Sequence, residues 1–508
     1  MPLEMGHVPT TNYSTSNPIT AYDSFGSLEL YYQDDDRLRR TWYPFRSTSG
    51  TINLIFTAYP RQIVPTTRPG PRFDLREDQG GLIGSGVSFI PELAFIPTET
   101  EMEISVSWDL SHCPPDTKAV WTYSEDITSH TIGNIDTLSK AVFTVGPLQG
   151  TSTNITLISN HTESFGIYCF GTPPFSLQDL FERLTPLFQQ MASFFSDESG
   201  GYKIFLRRST TRSYGGTAFH RSFVFEWSDD MVEMIALNLD AAFELLAHEM
   251  VHNWPKLDKC SIDDPCGANR TWYMEGIAVY YAVVLPYRFG LYDTKRFLEV
   301  VNGNAQAFYT SPLLKRSNAE VSDLGWSTFH GQRVPYFRGF MFFVLLDGWI
   351  KKASGGKRTV DDIVLEMLRR ERNGLSYGPD EFVSLLRGEL GEESVRKYEA
   401  MSDGEPFFDR EDGVYLALNF TRSDAPQYEL GFNESSISEH KIIGLITGSR
   451  AAEAGLKEGD EIIDGSLYGW TADSSDRKMK LKLRKEGEVV DIEYSPRTKY
   501  LVESWQWS

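Results

Sequence analysis

At 508 residues, 41% of them hydrophobic and 23% charged, the chain can bury large cores, and a prior of ~150 residues per domain gives about three domains. A net charge of −21 argues against nucleic acid, whose phosphates it would repel, and tolerates cationic peptides. No apolar run reaches the about 18 residues that a membrane-spanning helix requires.

Residues 1–24 are rich in Ser, Thr, Asn and Pro and predict a flexible N-terminal segment. They show neither a basic n-region nor an apolar h-region, which reads as cytoplasmic if the chain is complete. Sequons at Asn12, Asn154, Asn160, Asn269, Asn419 and Asn433, with four cysteines, keep a secreted reading open. Cys260 and Cys266 are close enough to close a small ring, and Cys113 and Cys169 belong to the β-rich region. From 25 to 175, runs such as "GTINLIFTAYP", "EMEISVSWDL" and "KAVFTVGPL" alternate with Pro and Gly, which predicts an N-terminal β domain. Residues 176–285 open with the helical "SLQDLFERLTPLFQQMASFF", capped by Ser176, and continue with strands at "YKIFLRRS" and "RSFVFEW". Residues 286–410 carry helical spacing in "DDIVLEMLRR" and "DEFVSLLRGEL", and 411–508 read as a small β domain. The expected fold class is multidomain α+β.

The stretch "AFELLAHEMVHNW", residues 242–254, has apolar residues at spacings of one, three and four, and Pro255 ends the pattern. On a helix, His248 and His252 lie one turn apart on one face and can offer two imidazole nitrogens to one ion. Glu249 is rotated about 100° from His248, so it flanks such an ion as a base rather than binding it. This HExxH arrangement needs a third ligand. Downstream, "RTWYMEGIAVYYAVV", residues 270–284, is an apolar helical run holding one carboxylate, Glu275. An unpaired carboxylate there would be costly, and ligation relieves that cost. One Zn²⁺ held by His248, His252 and Glu275 keeps a fourth position for water.

With these residues in view, "LAHEMVHNW" followed by "WYMEGIAVYY" resembles the gluzincin metallopeptidases, and the wider chain resembles their glycyl aminopeptidase family. The resemblance implies a thermolysin-like catalytic domain over 176–285, a helical domain over 286–410 and a PDZ-like domain over 411–508, the last on "GLITGSRAAEAGLKEGDEIIDG". "GQRVPYFRGFMFFVLLDGWI" is similar to the segment whose tyrosine, here Tyr336, stabilises the oxyanion. "SYGGTAFHRSFVFEW" is similar to the substrate-binding G-G-x-E-H segment, which implies roles for Gly215, Gly216 and His220. Here the chain departs from the family, because Ala218 and Phe219 stand where a glutamate would hold the substrate's α-amine. Glu226, Asp229 or Asp230 would have to replace it, or the enzyme is not a strict aminopeptidase.

The resemblance therefore implies a zinc peptidase acting on peptides or proteins, an aminopeptidase in the first instance. A zinc endopeptidase and a catalytically silent peptide-binding scaffold are the alternatives. A peptide C-terminus docking near "YELGFNES" is the partner expected of a PDZ-like module.

Overall fold

The computed structural model describes the chain except for residues 65, 66, 69, 95, 98, 99, 158–161, 199, 212, 213, 230–238, 258–265, 326, 408–417 and 466–476, and the side chains of 266–269. It is a multidomain α+β protein that divides into two compact units, Met1–Asn253 and Trp254–Ser508.

The first unit opens with short antiparallel pairings: Glu4–Met5 with Val8–Pro9, and Leu30–Asp34 with Arg40–Pro44. Segment 1–24, expected to be flexible, is packed instead. Met1, Val8, Tyr13 and Ile19 are buried. The Tyr13 hydroxyl donates to the Phe89 carbonyl at 2.6 Å, and Arg40 donates to the Tyr13 carbonyl at 2.8 Å. A few well-placed apolar anchors outweigh the polar average of this stretch.

Four strands follow, β1 (Arg76–Asp78), β2 (Gly81–Ser85), β3 (Lys118–Trp121) and β4 (Val142–Gly146), in an antiparallel sheet ordered β3-β4-β2-β1. A mixed sheet is built from β5 (Leu148–Thr156), β6 (Thr162–Phe170), β7 (Tyr202–Arg208), β8 (Tyr214–Phe219) and β9 (Ser222–Trp227), in the order β5-β6-β7-β9-β8. Its β6/β7 and β7/β9 pairs are parallel. The expected division at 175/176 runs through this single sheet. β7 and β9, two of its three inner strands, are buried along almost their whole length, as strands covered on both faces are.

Between β6 and β7 lies α1 (Leu177–Phe194), where Ser176 accepts a cap bond from the Asp179 N–H at 3.1 Å. Its Leu180, Leu184, Leu187, Phe188 and Met191 are fully buried. The HExxH helix is α2 (Leu239–Val251), which packs on α1, β8 and β9. Arg183 of α1 pairs with Asp240 at 2.8 Å and lies 4.4 Å over the Phe243 ring, so an ion pair and a cation–π contact both fasten α2.

The second unit contains α3 (Cys266–Arg288), α4 (Thr294–Tyr309), α5 (Asn318–Leu324), α6 (Phe329–Ser354), α7 (Val360–Arg372), α8 (Pro379–Leu390) and α9 (Glu392–Ser402). The expected boundary at 285/286 falls inside α3. α3 and α6 cross at two glycines: a Cβ on Gly339 would meet the Trp272 carbonyl oxygen at 2.2 Å. Trp272 stacks on Phe343 beside the crossing. A smaller β region ends the chain, with β10 (Glu461–Gly465), β11 (Met479–Lys485) and β12 (Glu488–Tyr494) antiparallel around Ile442, Leu456, Met479, Leu481 and Leu483. Among the described residues, no helix is long and apolar enough to cross a membrane.

Candidate metal centre

α2 runs to Val251, and its apolar positions Ala242, Phe243, Leu246, Ala247, Met250 and Val251 are buried. His252 sits in the turn that follows, where Asn253 holds the chain. Its side-chain amide donates to the Met250 carbonyl at 2.7 Å, and its oxygen accepts from the Arg221 N–H at 3.2 Å. Arg221 in turn grips Asp197 through both guanidinium ends, at 2.5 and 2.9 Å. The second histidine is thus positioned by bonds to the β8–β9 turn as well as by helical geometry.

His248 is 8% exposed, and its Nε2 lies 3.2 Å from the Nε2 of His252 with the rings nearly perpendicular. Two nitrogens bound tetrahedrally at about 2.0–2.1 Å from zinc lie about 3.3 Å apart, so this spacing suits one ion without rearrangement. His248, His252 and Glu275 each offer one ligand atom, and these atoms lie within 4.8 Å of one another. Two imidazoles and a carboxylate form a donor set suited to Zn²⁺.

Glu249 is half-buried beside His248. Its charge is felt by Tyr202 and Arg72. Burial first, and then Glu249, raises the pKa of the Tyr202 hydroxyl well above its usual value. Burial lowers that of Arg72, which Glu226 and Glu249 oppose. Glu275 and Gly276 are consecutive on α3, so the α3–α6 crossing sets the height of Glu275. Tyr336 is half-buried, within α6 rather than ahead of it, two turns from the Thr328 cap, and Arg333 lies 4.5 Å over its ring.

Gly215 and Gly216 lie on β8, the outer strand of the mixed sheet among the described residues. His220 is at the far end of that strand, about 16 Å along it from Gly215 at ~3.3 Å per residue, and its Nδ1 is 2.8 Å from the Tyr123 hydroxyl. Of the acids proposed to replace the family's amine-binding glutamate, Glu226 is buried and bonded to Arg207 at 2.7 Å. Asp229 is paired with Arg208, and Asp230 lies outside the described residues. Cys113 and Cys169 are free thiols; Cys260 and the Cys266 side chain lie outside the described residues. In the loop expected to receive a peptide carboxylate, Tyr428, Leu430 and Phe432 are buried, and Glu434 accepts from the Phe329 N–H at 2.7 Å.

Residues 241–336 match the M61 glycyl aminopeptidase family model. The match runs from the start of the HExxH helix to Tyr336. Over these residues the chain is glycyl aminopeptidase-like. The chain also shares its fold with an aminopeptidase N family protein from Idiomarina loihiensis, with a TM-score of 0.66 at 16% identity, over 96% of this chain and 89% of that one. An M1 zinc metallopeptidase from Deinococcus radiodurans is similar at a TM-score of 0.44 and 14% identity, over 77% of this chain and 86% of that one. No curated protein matches in sequence. Sequence reasoning missed Arg72, Asn253 and the Gly276–Gly339 crossing. Only the two glycines carried a local signal, since each interrupts an apolar helical run.

Proposed function

We propose that the chain is a zinc-dependent metallopeptidase of the aminopeptidase kind, with one zinc ion held by His248, His252 and Glu275. The observation that carries this reading is the 3.2 Å approach of the imidazole nitrogens of His248, on α2, and His252, in the turn after it, with Glu249 beside them. When bound, the ion supplies Lewis acidity and makes water nucleophilic at neutral pH.

The chain's own residues do the rest. Glu249 takes the proton of the attacking water and returns it to the departing amine. The Tyr336 hydroxyl donates to the carbonyl oxygen as negative charge grows there. Gly215 and Gly216 offer backbone on an outer strand, along which an extended peptide adds by main-chain hydrogen bonds. The thermolysin-like catalytic domain and the PDZ-like C-terminal domain belong to the same reading.

An endopeptidase is the second reading. It is favoured by Ala218 and Phe219 in place of an amine-binding acid, and by the engagement of Glu226 with Arg207. The deciding assay incubates the protein with free-amine and amino-blocked versions of the same peptides, with and without a zinc chelator, and identifies products by mass. Chelator-sensitive cleavage of the free-amine peptides alone supports exopeptidase action. Cleavage of the blocked ones turns the assignment to endopeptidase, and no chelator-sensitive cleavage across a broad panel leaves a scaffold.

A further inference from the structure

A cation lies over β8 at Gly215. A Cβ on Gly215 would meet only Arg72 within 4 Å, with Nη2 at 3.5 Å and Cζ at 3.8 Å. The guanidinium therefore lies over the bare face of the strand, where the missing side chain leaves room for it. The same loop is pinned to β8, because the Arg72 N–H donates to Thr217 Oγ1 at 2.8 Å. Gly215 has φ +136°, which an L side chain rarely adopts, so this opening is built into the backbone.

Behind Arg72 stands a buried charge network rich in guanidinium. Asp74 accepts from Arg61 at 3.0 Å, Arg76 at 2.7 Å and Arg207 at 2.7 Å. Glu226 accepts from Arg207 at 2.7 Å and lies 3.7 Å from Arg76. Each carboxylate is shared by more than one cation. Arg72 also feels Arg207 and Arg76 as like charges, opposed by Glu226 and Glu249. An acidic side chain passing Gly215 would meet the guanidinium in a poorly hydrated place, where charge pairs are worth more than in water. The overall charge of −21 acts in the opposite sense, but it is screened beyond about 8 Å at physiological salt, whereas a contact with Arg72 is not.

Resting on the reading that peptides lie along β8, we propose that Arg72 is a specificity-determining residue, and that the favoured substrates carry an acidic side chain on the residue that passes Gly215.

The test uses the full chain and a peptide panel in which Glu, Gln or Lys is moved through the positions on both sides of the cleaved bond. At one position, Glu should exceed Gln in kcat/KM by about tenfold or more, as expected of a charge-assisted pair. Arg72→Gln should bring that ratio close to one. Arg72→Lys should keep part of it, since lysine keeps the charge but loses the fork. Thermal unfolding of both variants reports whether they fold. A wild-type ratio at or below one at every position overturns the proposal. So does Arg72→Gln lowering Glu and Gln peptides alike, because that is a structural effect. Fluorescence anisotropy with labelled Glu and Gln peptides, measured on Glu249→Gln and on Glu249→Gln combined with Arg72→Gln, reads the same preference without turnover. Loss of all cleavage with the acid preference intact in binding counts against the peptidase reading alone.

Discussion

Gly276 and Gly339 meet where α3 crosses α6, so closely that a Cβ on Gly276 would sit 2.3 Å from the Cα of Gly339. Backbone cannot yield as a flexible side chain can, so Gly339→Ala must push the helices apart. Overpacking of this kind costs about 1–3 kcal/mol. Glu275 precedes Gly276 and Tyr336 lies one turn before Gly339, so both would shift. The expected outcome is a lower melting temperature together with weaker zinc retention on dialysis. Unchanged zinc content with a lowered melting temperature would mean that the crossing supports the fold and not the centre.

Glu249 and Tyr336 are expected to fail in different ways. Glu249→Gln keeps shape and removes the base. It should retain zinc by elemental analysis while kcat falls by about 10²–10⁴. Tyr336→Phe removes one donor to the developing oxyanion and should cost about 10²–10³ in kcat with KM little changed. Peptide turnover at the wild-type rate in either variant removes that residue from the mechanism.

Beside the Thr328 cap, Glu434 supplies a second acceptor at the start of the helix that carries Tyr336. Its carboxylate accepts from the Phe329 N–H at 2.7 Å, at the positive end of α6. Glu434→Ala should destabilise by about 0.5–2 kcal/mol, the usual cost of a lost cap. If Tyr336 is the oxyanion donor proposed above, the variant should also lower kcat more than it raises KM, because the loosened end lies two turns from that residue. A change in stability with no change in kcat would leave Glu434 as a cap only.

The contrast between local and distant relationships explains what the sequence made legible. His248, Glu249 and His252 can be read from four consecutive turns of one pattern, since helical geometry alone brings i and i+4 together. Glu275 is legible because a lone carboxylate in an apolar run needs a partner. Tyr336 came only from resemblance, as nothing in its own neighbourhood separates an oxyanion donor from a packing tyrosine. Asp74 and Arg207 are separated by 133 positions, and their contact exists only once β7 is seated in the mixed sheet. Segment 1–24 misled because average polarity conceals Met1, Val8 and Tyr13, three buried anchors in a sparse sequence.

Asp74 gives the first unit an acid-sensitive joint. Burial alone would raise its pKa, but Arg207 and Arg76 more than offset this and hold it at about 2, against an ordinary 3.8. A depressed carboxylate stabilises above its unfolded pKa, so the contribution, about 2 kcal/mol, is present near neutrality and lost as the pH falls from about 4 towards 2. Asp74→Asn should be destabilised by about 3–5 kcal/mol at pH 7, since it leaves buried guanidiniums short of a partner. The gap to wild type, measured by urea unfolding, should narrow in that acid window. A constant gap down to pH 2 would contradict the assignment.

His330 supplies the opposite test in the second unit. Burial, and then Arg497, lowers its pKa from 6.5 to about 3, and its ring packs 4.7 Å from that of Tyr428. The fold therefore keeps this imidazole neutral, while the unfolded chain binds a proton below about pH 6.5. Stability must fall as the pH drops from about 6.5 towards 3, by up to ~1.4 kcal/mol per pH unit for one proton. His330→Phe removes the titrating group while keeping an aromatic ring beside Tyr428. Its urea midpoint should fall less steeply than that of wild type between pH 6.5 and 4, whatever its stability at pH 8. Parallel curves for the two proteins over that range would show that His330 is already protonated in the folded state, and that Arg497 does not exclude the charge.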